Sequence, residues 1–329
     1  RLPAFSDLVC YWFEKSRQVL EQGAVRRVGL LATQGIRGAA NRRVLERIKS
    51  TGEIFWAESD RDWFLDGANV HVSMIGFDLG EEPTRVLDGR AVAEINSNLS
   101  ASSDTTTAKV LQANKDRAFI GVQKSGEFDL EEVEAIPLLL APNVNARPTS
   151  DVLRPYLTAH NILRRSAVAW IVDFTGREEG AAPQYDSVFA QTCQRVEKDR
   201  SAKHFEKYPM WKFWRPRPEL NHAAMGLSRL LVTAHVSKHF LFNWIAPFSL
   251  PSNLLIVVAS ESDVDFGVLQ STTHRIWALA QGTQLEDRPR YTPTTCFETF
   301  PFPLPASDVT EAIAAAAKEL DELRKAWLN

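Results

Sequence analysis

The stretch Val28-Gly29-Leu30-Leu31-Ala32 decides how the first eighty residues fold. It is a short, continuous apolar run, which is typical of a central parallel strand buried on both faces of a sheet. Apolar residues at helical spacing predict a helix before it, over 7–20. After it come a glycine-flanked loop at 34–38 and a second helix, over 42–52, which Gly52 ends. This order of elements indicates an α/β sheet.

Two further strands, over 54–57 and 69–77, follow the second helix. The residues between them, 60–67, are interpreted as a loop, and no helix separates the strands. Since a parallel connection needs a crossover of about a dozen residues or more, the strands are most simply an antiparallel pair. A doubly wound sheet that ends in such a pair resembles the fold of S-adenosylmethionine-dependent methyltransferases.

Individual segments carry a closer resemblance, to gamma-type adenine-N6 DNA methyltransferases fused to target-recognition domains, as in single-chain type II restriction-modification enzymes. The segments are 7–13, 28–34, 42–52, 70–77, 290–295 and 300–305. The resemblance implies a fold class of α/β, in which the C-terminal half of a doubly wound methyltransferase sheet precedes an α+β target-recognition domain. It also implies S-adenosylmethionine as the cofactor of the full-length parent, double-stranded DNA as substrate, and base flipping.

The reactive motifs of that family are missing from the chain. Its members use an N/D/S-P-P-Y/F/W loop at the adenine amino group, but these 329 residues contain no Pro-Pro pair. The glycine-rich cofactor loop is also absent, and Asp173–Gly180, which echoes such a loop, is better interpreted as a surface turn after a strand. We therefore predict no catalytic residue here, and expect the N-terminal half of the methyltransferase domain, preceding Arg1, as a partner.

Two places in the first eighty residues are candidate site residues. In the family, an aromatic residue before the last strand packs against the flipped adenine, and Trp63 and Phe64 occupy that position here. The alternative is that both are a hydrophobic plug. Arg37 lies in the loop at the carboxyl end of the first strand, where open α/β sheets bind ligands, so it either contacts phosphate or is simply solvated.

The composition excludes several other classes of protein. The three cysteines are far apart, in no metal-binding or disulfide pattern, and no histidine has metal-ligand spacing, so we predict no metal and a cytoplasmic location. No apolar run approaches the roughly 20 residues of a membrane span. The formal net charge of -3 gives no general preference for DNA, so any DNA-binding surface must be local.

The charge is in fact segregated along the chain. Residues 81–134 contain eleven acids against six lysines and arginines, which makes that segment an unlikely DNA surface, whereas residues 195–239 contain ten lysines and arginines against four acids. Within the second segment, 207–217 interleaves cations with aromatics. We predict that Lys212, Arg215 and Arg217 contact DNA, while Trp211 and Trp214 are better interpreted as core.

Two more segments are candidate DNA contacts. One is the pair Lys238 and His239, after an apolar run at 230–232. The other is the non-helical loop with Arg290, Tyr291, Thr292 and Thr294, a mixture of groups typical of phosphate contacts. His235 and His274 are interpreted as structural or hydrogen-bonded to DNA.

The predicted domains are the methyltransferase half at 1–80, a connecting segment at 81–149, the recognition domain at 150–305 and a C-terminal helix at 306–329. Within the recognition domain, apolar runs at 168–172 and 254–259 predict strands. The favoured function is a part of a site-specific DNA adenine-N6 methyltransferase of a restriction-modification system. Two alternatives stay open: a non-catalytic DNA specificity module that acts with a separate catalytic polypeptide, and an unrelated α/β enzyme.

Overall fold

The structure is a computed structural model that describes residues 2–4, 6–65, 68–101, 105, 108–143, 145–164, 167–178, 180–200, 209–285 and 288–328. The helices in these ranges are α1 (Leu8–Glu21), α2 (Ala39–Thr51), α3 (Glu132–Leu140), α4 (Ala159–Arg164), α5 (Asp186–Asp199), α6 (Pro218–Ala224), α7 (Asp263–Gln270), α8 (Thr272–Gln281) and α9 (Ser307–Leu328). None of them is both long and apolar enough to cross a membrane.

The strands are β1 (Val28–Thr33), β2 (Glu53–Leu65), β3 (Ala68–Asp78), β4 (Arg85–Leu87), β5 (Arg90–Val92), β6 (Ala118–Ile120), β7 (Asp129–Leu130), β8 (Leu153–Leu157), β9 (Ala169–Val172), β10 (Leu230–Ala234), β11 (Asn243–Ile245), β12 (Leu250–Pro251), β13 (Leu255–Val258), β14 (Thr283–Leu285) and β15 (Arg288–Arg290). The chain divides into two compact units. Unit 1 comprises residues 1–108 and 280–288, and unit 2 comprises residues 109–279 and 289–329.

Unit 1 is built on a five-stranded sheet of order β1-β3-β2-β4-β5. Within the described residues β1 pairs with β3 alone, and antiparallel, so the parallel neighbour expected for a central strand at 28–32 stays a prediction. The expected burial of this strand on both faces is wrong, because the side chain of Leu31 is 42% exposed. A continuous apolar run shows that a strand is hydrophobic, but it identifies neither the neighbour nor its direction.

The predicted antiparallel pair is confirmed, but the loop predicted within it is wrong. β2 continues through Asp60 to Leu65 and pairs with β3 along its whole length, across two bulges. Beyond the part of β3 that β1 covers, residues 62–65 and 68–71 form a two-stranded ribbon. The sheet then adds the hairpin β4–β5, so it does not end at the pair. Asp60, Arg61 and Asp62 are consecutive exposed polar residues, which suit a strand with solvent on both sides but also predict a loop.

Both helices of unit 1 pack on the same core. Phe13 of α1, Leu45 and Ile48 of α2 and Phe77 of β3 are buried together, and the rings of Phe13 and Phe77 stack with centroids 6.2 Å apart. The helices predicted over 7–20 and 42–52 are therefore confirmed in type and position, with α2 beginning three residues earlier. The core lies on one face of the sheet.

Unit 2 contains a sheet of order β11-β10-β13-β6 that is buried on both faces. Every residue of β10 and β13 is buried, which explains their continuous apolar sequences. On one face of the sheet, Leu231 and Ile256 pack against residues of two helices, such as Phe266 of α7 and Ala317 of α9. Val232 and Val257 pack on the opposite side, against Leu220 of α6. The sheet forms a central layer of this unit.

A second sheet, of order β12-β8-β9-β7, completes unit 2. Residues 109–149, expected to form a connecting segment, supply β6 to the first sheet and β7 to the second. The strands predicted at 168–172 and 254–259 are confirmed as β9 and β13, and the C-terminal helix as α9. α9 approaches α7 closely at Gly267, where a Cβ atom would lie 2.9 Å from Ile313 Cγ2.

Candidate nucleic-acid interface

Two of the predicted DNA-contact segments lie side by side in unit 2. Val236 and Arg290 form an isolated antiparallel bridge. Tyr291 N donates to His235 O at 2.9 Å, and Ser237 N donates to Pro289 O at 3.2 Å. The pair Lys238 and His239 therefore directly follows a segment that is hydrogen-bonded to the one containing Arg290. The sequence treated these segments separately because 54 positions separate Val236 from Arg290.

The third predicted segment joins the same layer at its other end. Arg215 N donates to Gln123 O at 3.0 Å, and Gln123 N donates back to Arg215 O at 3.1 Å. Asn253 N then donates to Val122 O at 2.8 Å, and His235 N donates to Leu254 O at 2.8 Å. Each segment is thus hydrogen-bonded to the next across the layer, in the order of the segments that contain Arg215, Gln123, Asn253, His235 and Arg290.

We call these five adjacent segments the cationic row: residues 121–123, 212–218, 235–240, 252–254 and 289–295. They contain five lysines and arginines and no aspartate or glutamate. Four spacings of about 4.8 Å between neighbouring backbones give a width of about 19 Å from Arg215 to Arg290. The charged residues of these segments are all cationic, although the whole chain is slightly acidic and Glu219, just outside the row, lies 3.7 Å from Arg217 Nη1.

Part of the guanidinium of Arg290 is enclosed without an internal acceptor. Its Nε is inaccessible and has no hydrogen-bond partner among the described residues. Burial, together with the nearby charge of Arg290, holds the pKa of His235 below its ordinary value. His235 is therefore neutral near pH 7, so the positive charge of this end of the row comes from Arg290 and from the exposed Lys238.

The prediction that Tyr291 contacts DNA is wrong. Its side chain is fully buried, with its hydroxyl 3.0 Å from His274 Nε2. His274 Nδ1 in turn donates to Leu269 O at 2.8 Å. Tyr291 therefore belongs to the core and reaches no DNA in this conformation, and of the two interpretations of His274 the structure supports the structural one. Tyrosine fits both roles, because its ring packs in a core while its hydroxyl needs one partner.

The other polar residues near Arg290 are more accessible. His239 and Thr294 are exposed, whereas Thr292 is half-buried and its hydroxyl contacts that of Thr295. Ser237 Oγ accepts from His239 N at 3.2 Å and donates to His239 O at 2.7 Å, which fixes the turn that presents Lys238. The role of Lys238, His239, Thr292 and Thr294 as DNA contacts stays a prediction.

In the segment 207–217, the core and surface residues alternate. Trp211 and Phe213 are buried, and the ammonium of Lys212 lies 4.6 Å from the ring centroid of Trp211. Trp214 is half-buried, so the core interpretation is confirmed for Trp211 and only in part for Trp214. Arg215 is exposed and Arg217 half-buried. Lys207 and Tyr208 lie outside the described residues.

In unit 1, Arg37 has partners within the protein. Its Nη2 donates to Asp60 Oδ2 at 3.0 Å and to Gln34 Oε1 at 3.2 Å. Asp60 Oδ1 also lies 2.8 Å from His71 Nδ1, and His71 Nε2 lies 3.6 Å from Asp62 Oδ1. Arg37 is therefore not simply solvated, and its hydrogen bonds are to protein groups. It connects the loop after β1 to Asp60, next to the start of the ribbon.

Trp63 and Phe64 both lie on the ribbon and are exposed, at 39% and 73%. Neither is a hydrophobic plug. Trp63 is opposite Val70, whereas Phe64 is opposite Asn69. Since side chains alternate along a strand, Phe64 shares its face with Asp62 and His71, and Trp63 lies on the other face. Phe64 is thus on the face of the polar network that includes Arg37.

The segment 173–180 is a turn after β9, as predicted; Glu179 within it lies outside the described residues. Asp173 is buried, and its carboxylate accepts from Thr175 N at 2.8 Å and from Arg154 Nη1 at 3.0 Å. Gly176 has φ 77°, which suits a turn. The carboxylate is occupied by internal partners.

The sequence missed two residues of the cationic row. Gln123 lies in a segment whose acid surplus argued against DNA, and Asn253 lies in a turn between strands. The side chains of Gln123 and Asn253 have no hydrogen-bond partner within the part of the chain that the structure describes. Only the strand order brings these residues together, so no local pattern could have found them.

Comparison with known proteins supports a recognition fold. A family model described as "MmeI, target recognition domain" matches residues 125–304. No curated protein matches. The solved structure of the Type IIL restriction-modification enzyme MmeI in complex with DNA superposes with a TM-score of 0.78 at 20% identity, over 97% of this chain and 45% of that one. The chain thus spans less than half the length of the MmeI chain it matches.

A second structure, of the type IIG restriction endonuclease BpuSI, covers 89% of this chain and 42% of that one at 8% identity, but its TM-score of 0.31 is too low to support an argument. The MmeI superposition shows a shared fold. The family match is the stronger finding, because it covers more than half of the chain and includes most of the cationic row. The chain belongs to the MmeI target recognition domain family.

Proposed function

We propose that unit 2 recognises a specific DNA sequence and that the cationic row is the surface that contacts the duplex. The observation that carries this proposal is the row itself: five lysines and arginines, no acid, and a width of about 19 Å in five adjacent segments. The family match and the DNA complex of the structurally similar MmeI support it.

The chemistry of the row suits both parts of DNA recognition. Exposed cations such as Arg215 and Lys238 neutralise phosphates, which gives affinity that weakens with salt. Amide side chains without internal partners, those of Gln123 and Asn253, are free to bond base edges, where sequence is read. A row that combines the two groups has the means for both affinity and specificity.

Within the same proposal, unit 1 is the second half of the catalytic domain of a DNA adenine-N6 methyltransferase in a restriction-modification system. The support is the antiparallel order β1-β3-β2, with two helices on one core, and the exposed aromatic residues at the end of the ribbon. In this role Phe64, with Trp63 on the opposite face, forms part of the pocket for a flipped adenine.

S-adenosylmethionine is the cofactor of this proposed activity, and it supplies the methyl group when bound. The residues of this chain do not fit a complete cofactor site, because the sequence contains neither the Pro-Pro motif nor the glycine-rich loop of the family. The proposal therefore assigns the binding of the cofactor and the contacts to the adenine amino group to another part of the parent enzyme. The contribution of this chain is the base pocket wall and DNA recognition.

A second candidate is a DNA specificity module that acts with a separate catalytic polypeptide. It is favoured by the range of the family match, which begins at residue 125 and thus leaves most of unit 1 outside. The two candidates agree on unit 2 and differ on whether unit 1 takes part in methyl transfer.

Selection from a random duplex library tests the shared claim. The 329-residue chain is expected to enrich one short sequence, and enrichment of no sequence would contradict the recognition proposal. Methylation then separates the candidates: the parent protein, incubated with S-adenosylmethionine and the selected duplex, is expected to form N6-methyladenine. If it forms none while still binding the sequence, the specificity-module candidate replaces the methyltransferase.

A further inference from the structure

Arg217 has an unusual backbone conformation for its residue type. Its φ of 55° and ψ of 59° place it in the left-handed region, between Pro216 and Pro218. A side chain with a Cβ is disfavoured there, and Arg217 is the one arginine with positive φ in the described ranges. Backbone strain of this kind persists where the surroundings enforce it, and it is concentrated at functional positions.

The guanidinium of Arg217 is also largely enclosed. Its side chain is only 23% exposed, and its Nε is inaccessible to solvent without a hydrogen-bond partner in the described structure. The nearest carboxylate oxygen, Glu219 Oε1, lies 3.7 Å from Nη1, which is too long for a hydrogen bond. Because Nε is enclosed, only the outer nitrogens of the guanidinium are available to a ligand.

Arg215, two residues away, differs from Arg217 in the exposure of its side chain. Its backbone is bonded on both sides to Gln123, but its side chain is exposed and has no carboxylate partner among the described residues. A mobile cation of this kind suits a phosphate, which carries charge but no sequence information. A guanidinium held in one orientation suits a pair of acceptors of fixed geometry, such as O6 and N7 of guanine.

We infer that Arg217 is a specificity-determining residue that reads a guanine, while Arg215 contacts phosphate. The inference rests on the proposed recognition of DNA by unit 2. It assigns base recognition and phosphate binding to two different arginines. The half-buried side chain and the enclosed Nε limit the orientations of the guanidinium before DNA arrives, so less side-chain freedom is lost on binding. Discrimination between bases depends on that fixed geometry.

The test uses four variants of the 329-residue chain in selections from a random duplex library. Arg217→Ala and Arg217→Lys are each expected to lose at least about fivefold of the preference at one G·C position, since lysine keeps the charge but not the fork. Arg215→Ala is expected to enrich the wild-type sequence but to bind with a salt slope lower by about 1.

Arg217→Gly separates the inferred role from a structural one. Glycine adopts positive φ without strain, so this variant is expected to unfold at an equal or higher temperature than wild type while it loses the same G·C preference. The inference is overturned if Arg217→Gly or Arg217→Lys keeps the full wild-type preference at every position. If wild type itself enriches no sequence, the recognition proposal fails instead, so the two failures are distinguishable.

Discussion

Gly121 lies against the backbone of Ser252 so closely that a Cβ atom at this position would be 2.2 Å from Ser252 O and 2.4 Å from Pro251 O. The contact joins two of the five segments of the cationic row. It is possible only because glycine has no side chain, and Gly121 N uses the closeness to donate to Leu255 O at 3.0 Å. The row therefore depends on one residue without a side chain.

Replacement of Gly121 by alanine is expected to destabilise unit 2 by about 2 kcal/mol or more, because backbone atoms must move to admit the methyl group. Urea unfolding measures the change. Gly180→Ala is the matched control, since nothing lies within 4 Å of its added Cβ, and it is expected to change stability by less than about 0.5 kcal/mol. Equal stability of the two variants would contradict the close contact.

A second prediction concerns the two aromatic residues of the ribbon. Phe64 lies on the face of the network Arg37–Asp60–His71 and Trp63 on the other. In the proposed parent methyltransferase, Phe64→Ala is expected to weaken binding of a flipped base by about 1–3 kcal/mol, with a smaller effect of Trp63→Ala. Fluorescence of 2-aminopurine at the target adenine reports flipping, and the reverse order of effects would reject the assignment to Phe64.

The third prediction follows from the buried His274. Burial lowers its pKa to about 4, against a smaller opposite effect of the hydrogen bond to Leu269 O. The unfolded chain, with a pKa near 6.5, thus binds more protons than the folded one between these values, and stability is lost as pH falls through this window. The loss from this residue is about 3 kcal/mol over the window.

Urea unfolding of wild type and of His274→Gln from pH 4 to 7 measures this contribution as the difference between two pH profiles. The free energy of unfolding of wild type is expected to rise more steeply with pH, by up to about 1.4 kcal/mol per pH unit. Parallel profiles would mean that His274 is protonated in the folded protein and that its place in the core is wrong.

The sequence predicted the helices and strands of this protein better than it predicted which strands pair with one another. The helices over 7–20 and 42–52, the C-terminal helix and the strands at 168–172 and 254–259 are where periodicity placed them, because burial of one face or of a whole strand determines local hydrophobicity. The burial of β1 on both faces and the length of β2 were predicted wrongly, and the partner of β1 within the chain was not predicted. Pairing depends on distant residues, and a solvent-exposed ribbon has the polar composition of a loop.

The candidate site shows the same limit. Lys238 and Arg290 were recognised by charge, and the structure adds that their segments are adjacent. Tyr291 was misassigned because its neighbours in sequence are polar, whereas its neighbours in space are apolar. Gln123 could not be found at all, since a short neutral sequence inside an acidic segment carries no signal until strand order places it beside Arg215.

The salt dependence of duplex binding tests the cationic row most directly. Arg215→Ala/Lys238→Ala removes two charges from the row, and Arg164→Ala/Arg275→Ala removes two exposed charges elsewhere in unit 2. The slope of log affinity against log salt concentration is expected to fall by about 2 in the first variant and to stay unchanged in the second. Equal slopes for wild type and the first variant, or equal losses in both variants, would contradict recognition of DNA through this row.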